Sequence, residues 1–206
     1  MIVNIPALFQ DEDIWVKRPD GKSIRLASVP SNEWNAVSGF KLGRFGCHLN
    51  LPLNFEIDDD WLYMSELLRT DGHIQRNLDR IKLTNKDDGL IKKFEEFASK
   101  IKIDYVRKVR QGNCYCVFIF NKTLSKIFVK AFGFTPGNKA ASTGFPDWMK
   151  TLAPEKIAIC LRGAFDGDGC VQFSQGGGKR GSTRRIRLYG ISTRYLEDVR
   201  FLLNRL

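Results

Sequence analysis

The sequence predicts an α+β fold made of two related halves, and three observations support this prediction. Two helix-like runs, "MSELLRTDG" and "LRGAFDGDG", each end in an aspartate followed by glycine, at Asp71 and Asp168. Two strand-like segments and another helix-like run follow each of them. The strand-like segments alternate apolar with basic or polar residues, which is typical of antiparallel sheets with one packed face. Together these features predict an internal repeat, with 97 positions between the two aspartates.

Residues 1–57 are expected to form an N-terminal extension with a hairpin. The stretch "DIWVKRPDGKSIRLA" predicts that hairpin, because Pro, Asp and Gly in its middle favour a turn. The stretch "SNEWNAV" predicts a short helix capped by Ser31 or Asn32. An extended segment, "CHLNLPLNFEI", leads into three aspartates, residues 58–60, which suit the positive N-terminal end of the next helix.

Residues 58–134 contain the first repeat. After its motif helix, "HIQRN" and "DRIKLTN" predict two strands, and "KDDGLIKKFEEFASKI" predicts an amphipathic helix. Two more strands, "IDYVRKV" and "NCYCVFIF", precede the helix "NKTLSKIFVKAF". The predicted order of this repeat is therefore α-β-β-α-β-β-α.

Residues 135–153 are predicted to be a linker, because they are rich in Gly, Pro, Ser and Thr. Residues 154–206 then restart the pattern with "APEKIAICLRGAFDGDG", the strands "CVQFS" and "TRRIRLYG", and the helix "STRYLEDVRFLLNRL". The second repeat has one hairpin where the first has two. We therefore expect a truncated second repeat.

The charge balance favours an anionic partner. The 206 residues include 33 Lys and Arg against 23 Asp and Glu, for a formal net charge of +10. A strongly basic chain of ordinary apolar content points first to nucleic acid, with a merely soluble basic protein as the plain alternative.

The cysteines and the N-terminal run predict a cytoplasmic protein with reduced thiols. Five cysteines give an odd count, and only Cys114 and Cys116 lie close together, with no histidine cluster to complete a zinc site. The first 15 residues show no basic region followed by a long apolar run, so we expect no signal peptide. No apolar run approaches ~18 residues, so we expect no membrane span.

The two aspartates are the first candidates for chemistry. Each ends a helix, where the helix dipole is negative and a carboxylate is disfavoured. One such Asp-Gly pair is explained by a turn at a helix end. Two in matching places of a repeat suggest instead that the helices pack side by side and bring both carboxylates together. Such a site suits Mg²⁺ (or Mn²⁺) and metal-assisted hydrolysis of a phosphodiester.

At this point the sequence resembles the LAGLIDADG homing endonucleases. The stretch "LRGAFDGDG" is similar to the motif that names the family, and "MSELLRTDG" is similar to a weaker first copy. The resemblance implies a single-chain protein in which two pseudo-symmetric repeats place antiparallel sheets in the DNA major groove. It also implies that Asp71 and Asp168 bind the metal, helped by the carbonyls of Thr70 and Gly167.

The resemblance implies one further catalytic candidate, and the sequence departs from the family pattern at one position. Several members of the family use a lysine at the start of the helix after the second strand, and Lys86 matches that position, whereas the second copy has Ser192 there. A solvated side chain at a helix start remains the alternative for Lys86. The family has a small residue five positions before each acid, at the contact of the two helices. Gly163 fits, but the first copy has Glu66, which needs a buried partner such as Arg69 or Arg162.

The predicted strands support DNA binding without the resemblance. In "TRRIRLY" and "DRIKLT" the apolar residues point one way and the basic or polar ones the other. We expect the apolar face to pack on helices and the basic face to bind DNA. Arg and Gln can read guanine and adenine, or they can contact phosphate alone. The predicted DNA-binding residues are Gln75, Arg80, Lys82, Thr84, Gln172, Ser174, Lys179, Arg180, Arg185, Arg187 and Tyr189.

The sequence thus predicts a monomeric, Mg²⁺-dependent DNA endonuclease of a mobile, intron-type element, acting on double-stranded DNA. The alternative is a nucleic-acid-binding protein without cleavage on the same fold, such as an intron maturase or a degenerate homing endonuclease. Retention of both aspartates favours the enzyme.

Overall fold

The chain folds into an N-terminal module followed by two helix–hairpin repeats. The computed structural model describes residues 1–44, 46–109, 112–137, 143–174, 183–190 and 192–206, without the side chains of residues 109, 174 and 183. Helices and antiparallel sheets are both present, so the predicted α+β class is confirmed. Among the described helices, none is long and apolar enough to cross a membrane.

The N-terminal module, residues 1–57, contains two small antiparallel sheets. Its elements are β1 (Ile2–Asn4), α1 (Ile5–Leu8), β2 (Ile14–Lys17), β3 (Ser23–Arg25), β4 (Gly39–Leu42) and β5 (Asn54–Glu56). Strand β1 pairs with β5, and the other sheet has the order β3-β2-β4. Strands β2 and β3 form the predicted hairpin. The predicted helix after them is a 3₁₀ segment, Ser31–Ala36, preceded by Pro30 without a side-chain cap.

The first repeat follows the predicted order of elements. It comprises α2 (Asp59–Asp71), β6 (Gly72–Ile74), β7 (Ile81–Asn85), α3 (Asp88–Lys100), β8 (Tyr105–Val109), β9 (Tyr115–Ile119) and α4 (Lys122–Phe132). Its four strands form one antiparallel sheet in the order β6-β7-β9-β8. The hydrophobic spacing of α3 places Leu90, Ile91 and Phe94 inside, against the sheet.

An aromatic cluster around Trp61 joins the N-terminal module to this repeat. The Trp61 ring lies 5.2 Å from Phe55 of β5, 5.0 Å from Phe97 of α3 and 5.7 Å from Phe128 of α4, between ring centroids. Aromatic pairs at these separations stabilise a core beyond the area they bury. The module and the first repeat therefore share one hydrophobic core.

The second repeat is smaller. It comprises α6 (Pro154–Asp168), β10 (Gly169–Ser174), β11 (Thr183–Leu188) and α7 (Thr193–Leu203), and a short α5 (Asp147–Lys150) precedes it. Among the residues of this repeat that the structure describes, the sheet contains only the β10–β11 hairpin. The predicted linker therefore contains α5, and part of it, residues 138–142, lies outside the described residues.

One expectation for the second hairpin is wrong. Its apolar face was predicted to pack on helices, yet Val171 and Ile186 are 63% and 73% exposed. The strand registers show that they stand where Ile74 and Ile81 stand in the first repeat, because Gly72 faces Leu83 and Gly169 faces Leu188. Ile74 and Ile81 are 2% and 0% exposed.

The difference follows from what surrounds each hairpin. In the first repeat β9 pairs with the free edge of β7, and α3 covers the sheet formed by both. Within the described residues no strand pairs with the outer edge of β11. Phe173 is also exposed on this face, where the Arg184 guanidinium lies 5.4 Å from its ring. The alternation of apolar and polar residues thus distinguishes the two faces of a strand, but it does not show whether another strand or helix covers the apolar face.

The matched positions give a test of this comparison. We expect Ile81→Ala to destabilise the protein by about 2–5 kcal/mol, because it leaves a cavity in a closed core. We expect Ile186→Ala to change stability by less than about 0.5 kcal/mol, as for an ordinary surface position. Urea unfolding of both variants measures the difference, and equal losses would contradict the assignment of the two faces.

Candidate active site and nucleic-acid interface

Two glycines let helices α2 and α6 touch. A Cβ atom at Gly163 would lie 2.3 Å from the carbonyl oxygen of Tyr63, and one at Gly167 would lie 1.9 Å from Oγ1 of Thr70. Both distances are far below van der Waals contact, so no larger residue fits without a shift of the helices. The contacts advance in the same direction along both helices, so α2 and α6 run parallel.

This parallel packing brings the C-terminal ends of both helices together. Asp71 and Asp168 are the last residues of α2 and α6, and each is followed by a glycine that begins a strand. A Cβ at Gly167 would lie only 3.4 Å from Oδ2 of Asp71, so this carboxylate faces the residue next to Asp168. Both aspartates are half-buried. Each acid therefore lies at the base of one hairpin, beside the contact between the repeats.

Asn85 holds the first of these acids. Its side-chain amide donates a hydrogen bond of 2.7 Å to Oδ2 of Asp71. Sequence reasoning missed Asn85, although it is the last residue of the predicted strand and directly precedes Lys86. Lys86 itself is exposed at the start of α3.

The equivalence proposed for Lys86 in the second repeat needs correction. Asp87 and Ser192 are the N-cap residues of α3 and α7, so Ser192 stands at the position of Asp87. The counterpart of Lys86 is then residue 191, which lies outside the described residues. The counterpart of Asn85 is Gly190, which has no side chain to hold Asp168.

The donor set is compatible with a hard divalent cation. The described residues contain no cluster of three or more His, Cys, Asp or Glu side chains that could hold a metal. Mg²⁺, however, is usually bound by one or two carboxylates and keeps several waters. Two carboxylates, with the last-turn carbonyls of Thr70 and Gly167 beside them, fit that chemistry.

Glu66 has a complete set of buried partners. Its carboxylate accepts hydrogen bonds from Nε of Arg69 at 3.1 Å, from the Tyr195 hydroxyl at 3.2 Å and from Ser65 at 3.3 Å. Its Cβ lines the contact with Gly163, while its charge points away from that contact. Of the two partners considered from sequence, Arg69 fills the role, whereas the Arg162 side chain is 68% exposed.

Arg69 and Tyr195 are themselves held on several sides. Arg69 donates to the Phe132 carbonyl at 2.7 Å, and its guanidinium lies 4.5 Å from the Phe134 ring. Tyr195 of α7 stacks on Phe145 at 5.3 Å. Burial raises the pKa of the Glu66 carboxyl against the opposing effect of Arg69. Burial also raises the pKa of the Tyr195 phenol, so this group stays protonated and donates.

A second polar cluster ties α6 to α3. The Tyr63 hydroxyl donates to Oδ2 of Asp166 at 2.8 Å, and Lys93 reaches Tyr63 at 2.9 Å and Asp166 at 3.3 Å. Asp166 lies 97 positions after Arg69, so these two residues occupy equivalent places in the repeats. Each motif helix is therefore bonded to the helix that follows the other motif.

The first sheet presents a basic and aromatic outer face. Ile81 and Leu83 are buried beneath it, whereas Lys82 and Thr84 point the other way and are half-buried. Phe118, paired with Lys82, has the guanidinium of Arg80 5.5 Å from its ring. None of the described strand residues of this sheet is acidic. Half-buried Gln75 follows β6, and sequence reasoning missed His73, Lys108 and Phe118 on the same face.

The polar face of the second hairpin is also basic. Gln172 pairs directly with Arg185, and Cys170 pairs with Arg187. Arg187 donates to the Tyr189 hydroxyl at 3.1 Å. Of the other predicted DNA-binding residues here, Lys179, Arg180 and the side chain of Ser174 lie outside the described residues.

The comparisons with known proteins agree with the motif that ends α6. Residues 155–206 match the family model described as the LAGLIDADG-like domain. This part of the chain is similar to that domain, and the matched residues include the second motif but not the first. The family recognised from the two motifs is thereby confirmed, on residues that include the second motif helix, the β10–β11 hairpin and α7.

A solved structure is also similar to this chain. The crystal structure of I-DmoI in complex with DNA and Mn is similar to this chain at 12% identity and a TM-score of 0.39. The similarity covers 71% of this chain and 78% of that one. No curated protein matches the sequence.

The buried Glu66–Arg69 pair predicts a large effect of removing one partner. We expect Arg69→Met to cost about 3–5 kcal/mol, because it leaves Glu66 buried without its cation. The double variant Glu66→Leu/Arg69→Met is expected to recover part of this loss. Arg162→Met is the control, since that side chain is exposed. Urea unfolding measures all three, and equal effects of Arg69→Met and Arg162→Met would contradict the prediction.

Proposed function

We propose that this LAGLIDADG-like protein is a site-specific, double-stranded DNA endonuclease that hydrolyses phosphodiester bonds with a divalent metal. The observation that carries the proposal is the parallel α2–α6 contact, which brings two acids to the bases of two basic hairpins. A structural turn needs no such convergence. A nuclease does, because its carboxylates must meet metal and phosphate at one place while the sheets hold the duplex.

In this proposal each half contributes one acid to the chemistry and one sheet to DNA binding. Asp71 and Asp168 hold Mg²⁺ or Mn²⁺, with the carbonyls of Thr70 and Gly167 as further oxygen donors. A divalent metal held by these groups would supply a water of lowered pKa and would stabilise charge on the phosphate. Asn85 fixes the orientation of Asp71 through its 2.7 Å hydrogen bond. Lys86, one residue further, is placed to act on the phosphate or on the water.

The sheets position the duplex. Gln172 and Arg185 are opposed across the second hairpin, so a single base pair or phosphate can meet both. Lys82 of β7 and Arg80 just before it form the corresponding surface in the first repeat, together with Phe118 on the neighbouring β9. Two unlike sheets suit a long asymmetric site bound by one monomer. We further propose an intron or mobile-element origin and a cytoplasmic setting.

A nucleic-acid-binding protein without cleavage is the second candidate, and the asymmetry of the repeats favours it. The second half has Gly190 in place of Asn85, and its hairpin leaves an apolar face exposed. Binding by the basic faces needs neither feature. Substitution of Asp71 and Asp168 distinguishes the two functions, because only cleavage requires these acids.

The decisive experiment substitutes the two acids. We expect Asp71→Asn and Asp168→Asn to abolish double-strand cleavage while duplex affinity survives, because affinity comes from the sheets. Either single change leaves at most nicking. A genomic DNA library, incubated with and without Mg²⁺, supplies the substrate, and a binding titration with a thermal melt accompanies each variant.

Asp166→Asn is the matched control, since Asp166 lies on α6 two residues before Asp168 but bonds Tyr63 and Lys93. This variant is expected to cleave like the wild type. Cleavage by both Asn variants at the wild-type rate would contradict the role of the two acids, whereas duplex binding without any cleavage by the wild-type protein would favour the binding protein.

The contact of Asn85 gives a separate prediction. We expect Asn85→Ala to slow cleavage of one strand about 10-fold or more, because Asp71 loses the group that orients it. Lys86→Ala is expected to slow cleavage with little loss of binding. Asn77→Ala, in an exposed turn, is the control. Strand-specific end labels measure the effect, and equal rates on both strands would contradict the asymmetric role of Asn85.

A further inference from the structure

The three-stranded sheet of the N-terminal module has one buried and one polar face. Ile14, Val16 and Phe40 are buried on one side. The registers place Trp15 opposite both Arg25 and Lys41, and Lys17 follows on the same face. Defined by Trp15, Lys17, Arg25 and Lys41, this surface is the module face. It combines three cationic side chains with one indole ring.

The charges of Lys41 and Lys17 on the module face both influence His48. His48 lies across this face and is 3.2 Å from the Ser23 hydroxyl of β3. Its pKa is lowered by burial and then by the charges of Lys41 and Lys17. The Asp13 carboxylate pairs with Arg25 at 3.4 Å. Glu12 is turned away toward Lys126 and Lys130 of α4.

The indole nitrogen of Trp15 gives a second observation about the module face, and this one does not depend on charge. Its indole nitrogen is buried and has no hydrogen-bond partner, and among the described residues it is the only such buried side-chain polar atom. The guanidinium of Arg25 lies 5.7 Å from the Trp15 ring. A buried donor without an acceptor is destabilising in general, so it is rarely kept without a role.

The N-terminal module contacts the first repeat near the outer end of the first sheet. Strand β7 pairs with β9 so that Asn85, beside Asp71, faces Tyr115, and Ile81 faces Ile119. The β9 strand therefore ends away from the acids, and α4 begins there. Thr123 in the first turn of α4 accepts a hydrogen bond of 3.1 Å from the Leu42 amide at the end of β4.

We propose that the module face binds the sugar–phosphate backbone of duplex DNA that flanks the segment held by the first sheet. This inference rests on the proposed function, because it uses the same duplex. Lys17, Arg25 and Lys41 neutralise phosphates, and the half-buried ring of Trp15 contacts sugar. The module thereby lengthens the footprint on the side of the first repeat.

The first test measures the salt dependence of binding. The triple variant Lys17→Ala/Arg25→Ala/Lys41→Ala is expected to make the negative slope of log K against log salt shallower by about 2.7, since each phosphate contact contributes about 0.9. Its control removes three exposed lysines, Lys92, Lys102 and Lys156, on or just after helices. An unchanged slope in the triple variant, or an equal change in the control, would overturn the proposal.

The second test locates the contact. Hydroxyl-radical footprinting on a bound duplex is expected to show lost protection at one end in the triple variant. Arg185→Ala/Arg187→Ala is expected to lose protection at the opposite end. Loss at the same end in both would overturn the proposal, as would a triple variant that loses only single-stranded DNA or RNA binding.

Intrinsic fluorescence gives a readout that needs no cleavage. The chain has four Trp residues, and Trp15 is the one on the module face. We expect the duplex to quench the wild-type emission and Trp15→Phe to remove that quench, whereas Trp34→Phe keeps it. An inactive protein that still shows these changes would refute the nuclease and support the module face. A cleaving protein without them would do the reverse.

Discussion

The contact between α2 and α6 is the constraint on which the rest of the structure depends. Gly163 and Gly167 let two helix backbones meet, and no side chain fits in their place. Two polar clusters then lock this contact crosswise, since Glu66 of α2 bonds Tyr195 of α7 and Asp166 of α6 bonds Lys93 of α3. Neither repeat can rotate about the contact without breaking one of these clusters.

The two repeats contribute unequally to stability. The first has a closed core, in which Trp61 packs against aromatic residues of α3, α4 and the N-terminal module. The second contributes mainly α6 and α7, and its hairpin leaves Val171 and Ile186 in solvent. A two-stranded sheet alone is marginal in water. The second hairpin therefore depends on α6 for its position.

Local patterns in the sequence predicted the elements and the two acids, but not the long-range partners. Spacing within α3 and the Asp-Gly ends of α2 and α6 are local features, so they could be found without a structure. The bond from Asn85 to Asp71 and the bond from Tyr195 to Glu66 join residues 14 and 129 positions apart, and no local pattern marks them. The prediction that Ile186 is buried was wrong for a related reason. Burial depends on a neighbouring strand or helix, and the alternation of apolar and polar residues does not encode that neighbour.

The electrostatics of the two helix ends are also unequal, and this connects the fold to the proposed chemistry. A carboxylate at a helix C-terminus opposes the dipole in both repeats. At Asp71 the amide of Asn85 offsets part of that cost, whereas Gly190 offers nothing equivalent to Asp168. Asp168 instead lies close enough to contribute to the raised pKa of Tyr195. The second acid thus lies beside the buried Glu66 cluster, at the same contact that holds the repeats together.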